Sequence, residues 1–253
     1  MSFVGAGPGA GDLVTVRGAR LLAEADVVAW SSATVAIELV QEFVPPGAEV
    51  LDIARRPEED LFRLYRRSAA ERLAMVRLIG GDAGLGSGLD EHLEACRRLG
   101  LRVQVVPGVA PLAAVVAATG GGFDEPTVLV TGSPDEVPPP EGAIAVTVSA
   151  ARADALVATL RAAGRPDDTP VVVGHKATRP DELVVTTTLG RLEHTVKQHR
   201  LWLPTIFLVG RPRARRGTAP RAARTELPET PRVRTTPGSA GPGASTRSTG
   251  AAG

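Results

Sequence analysis

Cysteine is almost missing from this chain. One residue, Cys96, occurs in 253, which excludes an intrachain disulfide and a cysteine-based zinc site. It falls in the helical run 89–99, where the role of a small buried apolar residue is expected. Aromatics are nearly as scarce, at 3%. Val, Leu and Ala must therefore build the core that a hydrophobic fraction of 43% permits. No run reaches the roughly 18 apolar residues of a membrane span. The N-terminus has neither the basic region nor the apolar stretch of a signal peptide, because glycine interrupts it at Gly5. A soluble, cytoplasmic protein without membrane contact is the expectation.

A large charge of either sign is also lacking, but the formal net +1 is unevenly spread. Residues 213–253 hold eight Arg and two Glu, a net +6, which leaves −5 on residues 1–212. The body is mildly acidic and offers no basic face for nucleic acid. The tail is dominated by Pro, Gly, Ser, Thr, Ala and Arg without periodicity, the composition of a disordered segment.

What the chain has is glycine in two clusters. Met1–Gly18 begins with a short apolar run at Phe3-Val4, then carries glycines at 5, 7, 9 and 11 and a proline at 8. Backbone without Cβ atoms lets another molecule come close. Asp12 has the look of an N-cap for a helix through 13–25. A strand, a bare loop and a helix suggest an α/β domain with a ligand at its strand ends. The second cluster, Gly80–Gly88, follows the buried-type strand 72–79 and precedes a helix that ends near Gly100.

Between and beyond these loops, apolar strands alternate with amphipathic helices. Strands are expected near 26–30, 48–53, 72–79 and 103–106, and helices near 35–43, 57–70, 88–98 and 110–118. That spacing indicates a mostly parallel sheet. Thr119–Gly122 reads as a hinge, Pro134–Gly142 as a proline- and acid-rich loop. Strands near 127–131, 143–148, 169–174, 182–188 and 202–210, with helices near 150–163 and 189–199, form a second α/β unit with some antiparallel pairing. The expected organisation is an N-terminal α/β domain at 1–120, a C-terminal one at 121–212, and the tail.

Familiar motifs fit poorly. Gly5-x-Gly7-x-x-Ala10 matches a loose dinucleotide fingerprint, but Pro8 interrupts the turn and Asp26 precedes its strand instead of ending it. The second loop lacks the Gly-Lys-Ser/Thr ending of a nucleoside-triphosphate loop. Asp82 could serve a ligand or simply close an Asx-type turn, and composition leaves both open. His92, His175, His194 and His199 show no metal-ligand spacing, so no metal is expected. Two glycine loops and few proton-transfer groups suit a reaction driven by positioning.

Several stretches taken in order resemble one family. Val4–Gly18, Ala25-Asp-Val-Val28, Gly80-Gly-Asp82, Val105-Val-Pro-Gly-Val109 and Lys176-Ala-Thr-Arg-Pro-Asp-Glu182 are similar to the tetrapyrrole (corrin/porphyrin) methylases. The last segment is most like the precorrin-4 C11-methyltransferases. The resemblance covers roughly residues 1–212. It implies two α/β domains with S-adenosylmethionine in the cleft between them, a tetrapyrrole substrate, and a homodimer. By position it implies cofactor contacts at Pro8, Gly80, Gly81, Asp82, Leu85, Ala110, Pro111, Val148 and Ala177. It likewise implies substrate contacts at Ser31, Arg77, Lys176 and Arg179, whereas Arg55 and Arg56 read as solvated charges. The chain departs from the family pattern at Ala83, where proline is usual, at Gly86, where an aromatic is usual, and at Ser31-Ser32. A different methyl acceptor on the same fold, or a binding module without catalysis, are the alternative readings.

Overall fold

The computed structural model describes residues 1–85, 88–121, 126–131, 142–202 and 204–210. The tail 213–253, Gly86, most of the Pro134–Gly142 loop and Gly122 of the expected hinge lie outside the described residues.

The first half forms a five-stranded, wholly parallel sheet from β1 (Ser2–Gly5), β2 (Val27–Trp30), β3 (Glu49–Asp52), β4 (Met75–Ile79) and β5 (Gln104–Val106). The strands lie side by side in the order β3-β2-β4-β1-β5. Side chains alternate across it. Val4, Val28, Trp30, Val76 and Leu78 pack with Leu22 of α1 (Val16–Ala23) and with Leu39 and Val40 of α2 (Ile37–Phe43). Phe3, Val27, Ala29 and Met75 pack on the other face with α3 (Glu58–Glu71) and α4 (Leu89–Arg98). Cys96 is fully buried in that second layer.

The second half is a mixed sheet in the order β6-β7-β10-β8-β9, built from β6 (Thr127–Thr131), β7 (Ala143–Ser149), β8 (Pro170–His175), β9 (Leu183–Thr188) and β10 (Pro204–Val209). Only β6 and β7 pair in parallel; the other three pairings are antiparallel. One face is covered by α6 (Ala153–Ala162) and α7 (Leu192–Gln198) through Leu156, Leu160, Leu192 and Val196. The other face receives α5 (Pro111–Ala118), whose Ala114 and Val115 pack on Ala145, Val172, Ile206 and Leu208.

One helix start differs from expectation. Gly11–Leu13 is a separate 3-10 turn, and α1 begins at Val16 with Thr15 as N-cap, its hydroxyl accepting from Gly18 N at 3.1 Å. Asp12 lies within the short turn and caps nothing. Thr15, like the expected Asp12, is a residue type that favours N-caps. The expected stop at Gly100 is present: its φ is 72°, and Leu101 N reaches back to Cys96 O. By contrast, α3 ends on left-handed Arg72, which carries no glycine signal.

The contact of α5 with the second sheet is very close. A Cβ on Gly174 of β8 would lie 2.3 Å from Val115 Cγ2. Gly174→Ala is therefore expected to cost about 1–3 kcal/mol through overpacking. Adding Val115→Ala should recover part of it, as measured by urea unfolding of the single and double variants.

Candidate functional site

In the parallel sheet, β1 and β4 are neighbours whose chains leave in opposite directions. β1 leads through α1 on one face to β2; β4 leads through α4 on the other face to β5. The carboxyl ends of two such strands bound an open crevice where ligands of α/β sheets bind. Both glycine clusters lie there. Gly7 N donates to Gly81 O at 3.1 Å, and Gly81 N donates to Gly7 O at 2.8 Å, an isolated bridge just beyond the sheet.

The packing explains why glycine is needed at this point. A Cβ on Gly5 would meet Gly108 N at 2.6 Å, and one on Gly108 would meet Gly81 O at 2.2 Å. Gly81 itself is left-handed, with φ 76°, and a Cβ there would meet Pro111 Cδ at 2.6 Å. Three backbones, from the ends of β1, β4 and β5, thus touch without intervening side chains. Pro111, at the first turn of α5, packs directly on Gly81.

Asp82 fastens the arrangement. Its Oδ1 accepts from Gly84 N at 2.8 Å, closing an Asx-type turn, and its Oδ2 accepts from Gly108 N at 2.7 Å. One carboxylate therefore ties the β4 loop to the β5 loop. Ala83 is fully buried beneath it, while Leu85 stands 47% exposed on the rim.

The second half supplies the opposite wall. A Cβ on Gly9 would lie 2.6 Å from Arg179 Cγ and 2.7 Å from Ala177 O. Ala10 N donates to Thr178 Oγ1 at 2.9 Å, and an Arg179 guanidinium nitrogen approaches Thr34 O at 3.4 Å. Thr34 also packs against Gly80 and closes a turn on Ser31 O. Lys176 forms an ion pair with Asp181, and hydrogen bonding from that ammonium holds the Asp181 carboxyl below its ordinary pKa. Among the described residues no group of three or more His, Cys, Asp or Glu could hold a metal ion, and no helix is long and apolar enough to cross a membrane.

This arrangement agrees with the family match. The model of the Tetrapyrrole (Corrin/Porphyrin) Methylases matches residues 1–193. The chain belongs to that family. The methylase is 32% identical over 223 residues to the cobalt-precorrin-4 C(11)-methyltransferase of Priestia megaterium, covering 82% of this chain and 86% of the relative. Its structure superposes on that of a cobalt precorrin-4 methyltransferase of cobalamin biosynthesis with a TM-score of 0.73 at 31% identity, over 83% of this chain and 93% of the other. A uroporphyrin-III C-methyltransferase from Thermus thermophilus, complexed with S-adenyl homocysteine, matches with a TM-score of 0.65 at 27% identity, over 83% and 96%.

The structure brings most of the expected site residues together at the carboxyl end of the parallel sheet. Pro8, Gly80, Gly81, Asp82, Leu85, Pro111, Ala177 and Arg179 lie on the segments just described, with Ala110 as the N-cap of α5 and Ser31 in the turn beside Gly80. Two residues go elsewhere. Val148 is buried with Leu156 and Phe207 under α6 and α7, on the far face of the second sheet. Arg77 lies on the α3/α4 face of β4, donating to Tyr65 Oη at 3.3 Å and lying 6.0 Å from the centre of the Phe3 ring. Strand alternation is the reason in both cases: each is on the parity that faces a covering helix layer. Two further residues hold the site together: Thr34, an isolated threonine without a sequence pattern, and Thr178, which lies inside the Lys176–Glu182 motif but is given no role by the resemblance.

The network around Arg77 continues through Tyr65 to His92, whose Nδ1 lies 3.4 Å from Tyr65 Oη and whose ring stacks on Phe62. Its Nε2 faces Glu58 at 3.3 Å. Burial, reinforced by the Arg77 cation and opposed by Glu91, pulls the His92 pKa down to about 4.

Two outcomes are expected. Asp82→Ala should lower stability by roughly 1–3 kcal/mol, since two backbone amides lose their acceptor, and Asp82→Asn should lose less; thermal unfolding reads both. The unfolded chain binds a proton at His92 near pH 6.5 that the folded chain refuses until about pH 4. Wild-type stability should therefore fall as pH drops across that window, and less so in His92→Gln, as urea midpoints at several pH values would show.

Proposed function

We propose that the chain is an S-adenosylmethionine-dependent C-methyltransferase acting on a corrin precursor, most specifically at C11 of precorrin-4 or its cobalt form in cobalamin biosynthesis. The observation that carries this reading is the meeting of two side-chain-poor loops at the β1/β4 switch point, walled by the Lys176–Glu182 segment. The names of the relatives at 31–32% identity support the acceptor. The complexed structure at 27% identity supports the cofactor.

The residues present fit such a cofactor. The crevice floor is backbone from Gly5, Gly81 and Gly108, with the apolar Leu85, Pro111 and Ala177 around it. A cationic sulfonium needs no strong counter-charge there, and the nearest cations are engaged by Asp181 and by Thr34 O. We assign cofactor contact to Pro8, Gly80, Gly81, Leu85, Ala110, Pro111 and Ala177, with Asp82 acting by holding the loops. Ser31, Lys176 and Arg179 take the substrate side.

When bound, S-adenosylmethionine supplies a methyl group already activated by its sulfonium. The chain's own residues then have to align the reactants and exclude water. Correct alignment in a bound near-attack geometry is worth several kcal/mol of barrier lowering. The braced glycine loops provide a fixed floor for one reactant. Lys176 and Arg179 present charge and donors to the carboxylates of the other.

The same proposal takes residues 1–120 and 121–212 as the two domains, with α5 of the first packed on the sheet of the second and 213–253 as an appendage. It places the protein in the cytoplasm as a homodimer, in keeping with the family resemblance. A second reading changes the acceptor, and it is motivated by Ala83 in place of proline and by the uroporphyrin-III methyltransferase neighbour.

Two measurements decide. S-Adenosylhomocysteine should raise the unfolding temperature while NAD and ATP leave it unchanged, because only a ligand preferring the native state stabilises it. Incubation with S-adenosylmethionine and cobalt-precorrin-4 should add one methyl by mass. Stabilisation without that methyl would favour the second reading, and no stabilisation would end both.

A further inference from the structure

Four non-glycine residues among the described ones have left-handed backbone. Arg72 and Arg200 follow helices, where such a conformation is ordinary. Lys176 and Thr178, at φ 51° and 66°, do not. They flank Ala177 in the segment between β8 and β9. For a β-branched residue such as Thr178 this conformation is a true outlier, and strain of that kind persists only where the surroundings impose it.

The surroundings are visible. Thr178 N donates to Glu182 Oε2. Arg179 N donates to Lys176 O and Glu182 N to Arg179 O, each at 3.0 Å, closing two successive turns. Lys176 is paired with Asp181 inside the same segment. The outcome is that Thr178 Oγ1 points away from its own turn and accepts from Ala10 N at 2.9 Å, 168 residues distant. Ala10 belongs to the first glycine loop, and Gly9 beside it lies against Ala177 and Thr178.

We propose that Thr178 is a positioning residue for the methyl-transfer site. Its hydroxyl, presented on a strained backbone held by Glu182, registers the Gly5–Gly11 loop of the first half against the second. The loop forms one wall of the crevice, so this contact sets the crevice width from the side opposite the Asp82 brace. The proposal rests on the reading of that crevice as the cofactor site. Within it Thr178 touches no reacting atom; it acts through Ala10.

The test compares full-length wild type with Thr178→Val, which keeps the β-branch and removes the hydroxyl, Thr178→Ala, which removes both, and Thr178→Ser, which keeps the hydroxyl. Hydrogen exchange of the peptide over residues 9–13 is read without ligand, S-adenosylhomocysteine affinity by calorimetry, and global stability by urea midpoint. In Thr178→Val or, should that variant not fold, Thr178→Ala, exchange in the loop should quicken. Dissociation constants should rise roughly 3- to 10-fold, the worth of one neutral hydrogen bond. Thr178→Ser should restore both. Unchanged loop exchange, a Thr178→Ser variant as impaired as Thr178→Val, or quickened exchange with unchanged affinity each overturns the role of Thr178 while leaving the cofactor reading intact. A wild type that binds no S-adenosylhomocysteine overturns that reading, and this proposal with it.

Discussion

The paired hydrogen bonds between Gly7 and Gly81 are the constraint on which the rest of the molecule depends. They join the ends of two strands whose chains part to opposite faces of the sheet, so they span the point where a crevice must open. Neither residue contributes a side chain. The bridge can form only because Gly5, Gly81 and Gly108 approach to distances at which any Cβ would collide. Glycine costs conformational entropy on folding, and here several are spent together at one place. Asp82 offsets part of that cost by accepting from the amides of both Gly84 and Gly108.

A floor built from backbone has chemical consequences. It offers amide donors, carbonyl acceptors and close approach, but no nucleophile and no titrating group. The titratable side chains with strongly moved protonation lie elsewhere. His92 and Tyr65 are in the layer under α3 and α4, and His175 is buried against Thr205 on the α6/α7 side of the second sheet. Burial lowers the His175 pKa as it does that of His92. Perturbed groups often mark active sites; here the largest displacements, at His92 and Tyr65, fall in a packing layer, while beside the crevice Asp181 is held low by its Lys176 partner. The crevice is therefore suited to chemistry in which the donor is already activated and the protein contributes geometry.

Much of this was legible in the sequence, and the physical reasons differ by residue. The two glycine clusters are visible because bare backbone has a compositional signature, and every strand and helix expected from periodicity within the described residues is present, most of them with ends shifted by a few residues and β6 at the expected 127–131. The start of α1 was misplaced because Asp12 and Thr15 are both good caps, and only the path of the chain decides between them. The contacts at Arg77 and Val148 are implied by the resemblance alone, and strand alternation turns each of them toward a helix layer. Nor did the sequence indicate that α5, which follows the first sheet directly, buries Val115 against Gly174 of the second.

That last packing also explains how two sheets can share one site. α5 begins at Pro111, in contact with Gly81, and its body rests on the second sheet. The floor of the crevice is thus tied to both halves through one eight-residue helix. On the other side the loop at Gly9 and Ala10 is tied to Ala177 and Thr178. Two attachments on opposite sides of a gap fix its width, whereas one would leave a hinge. Since a misplacement of about 1 Å can cost two orders of magnitude in a reaction governed by alignment, strain at Thr178 and overcrowding at Gly174 are tolerable where a looser, less strained junction would not be.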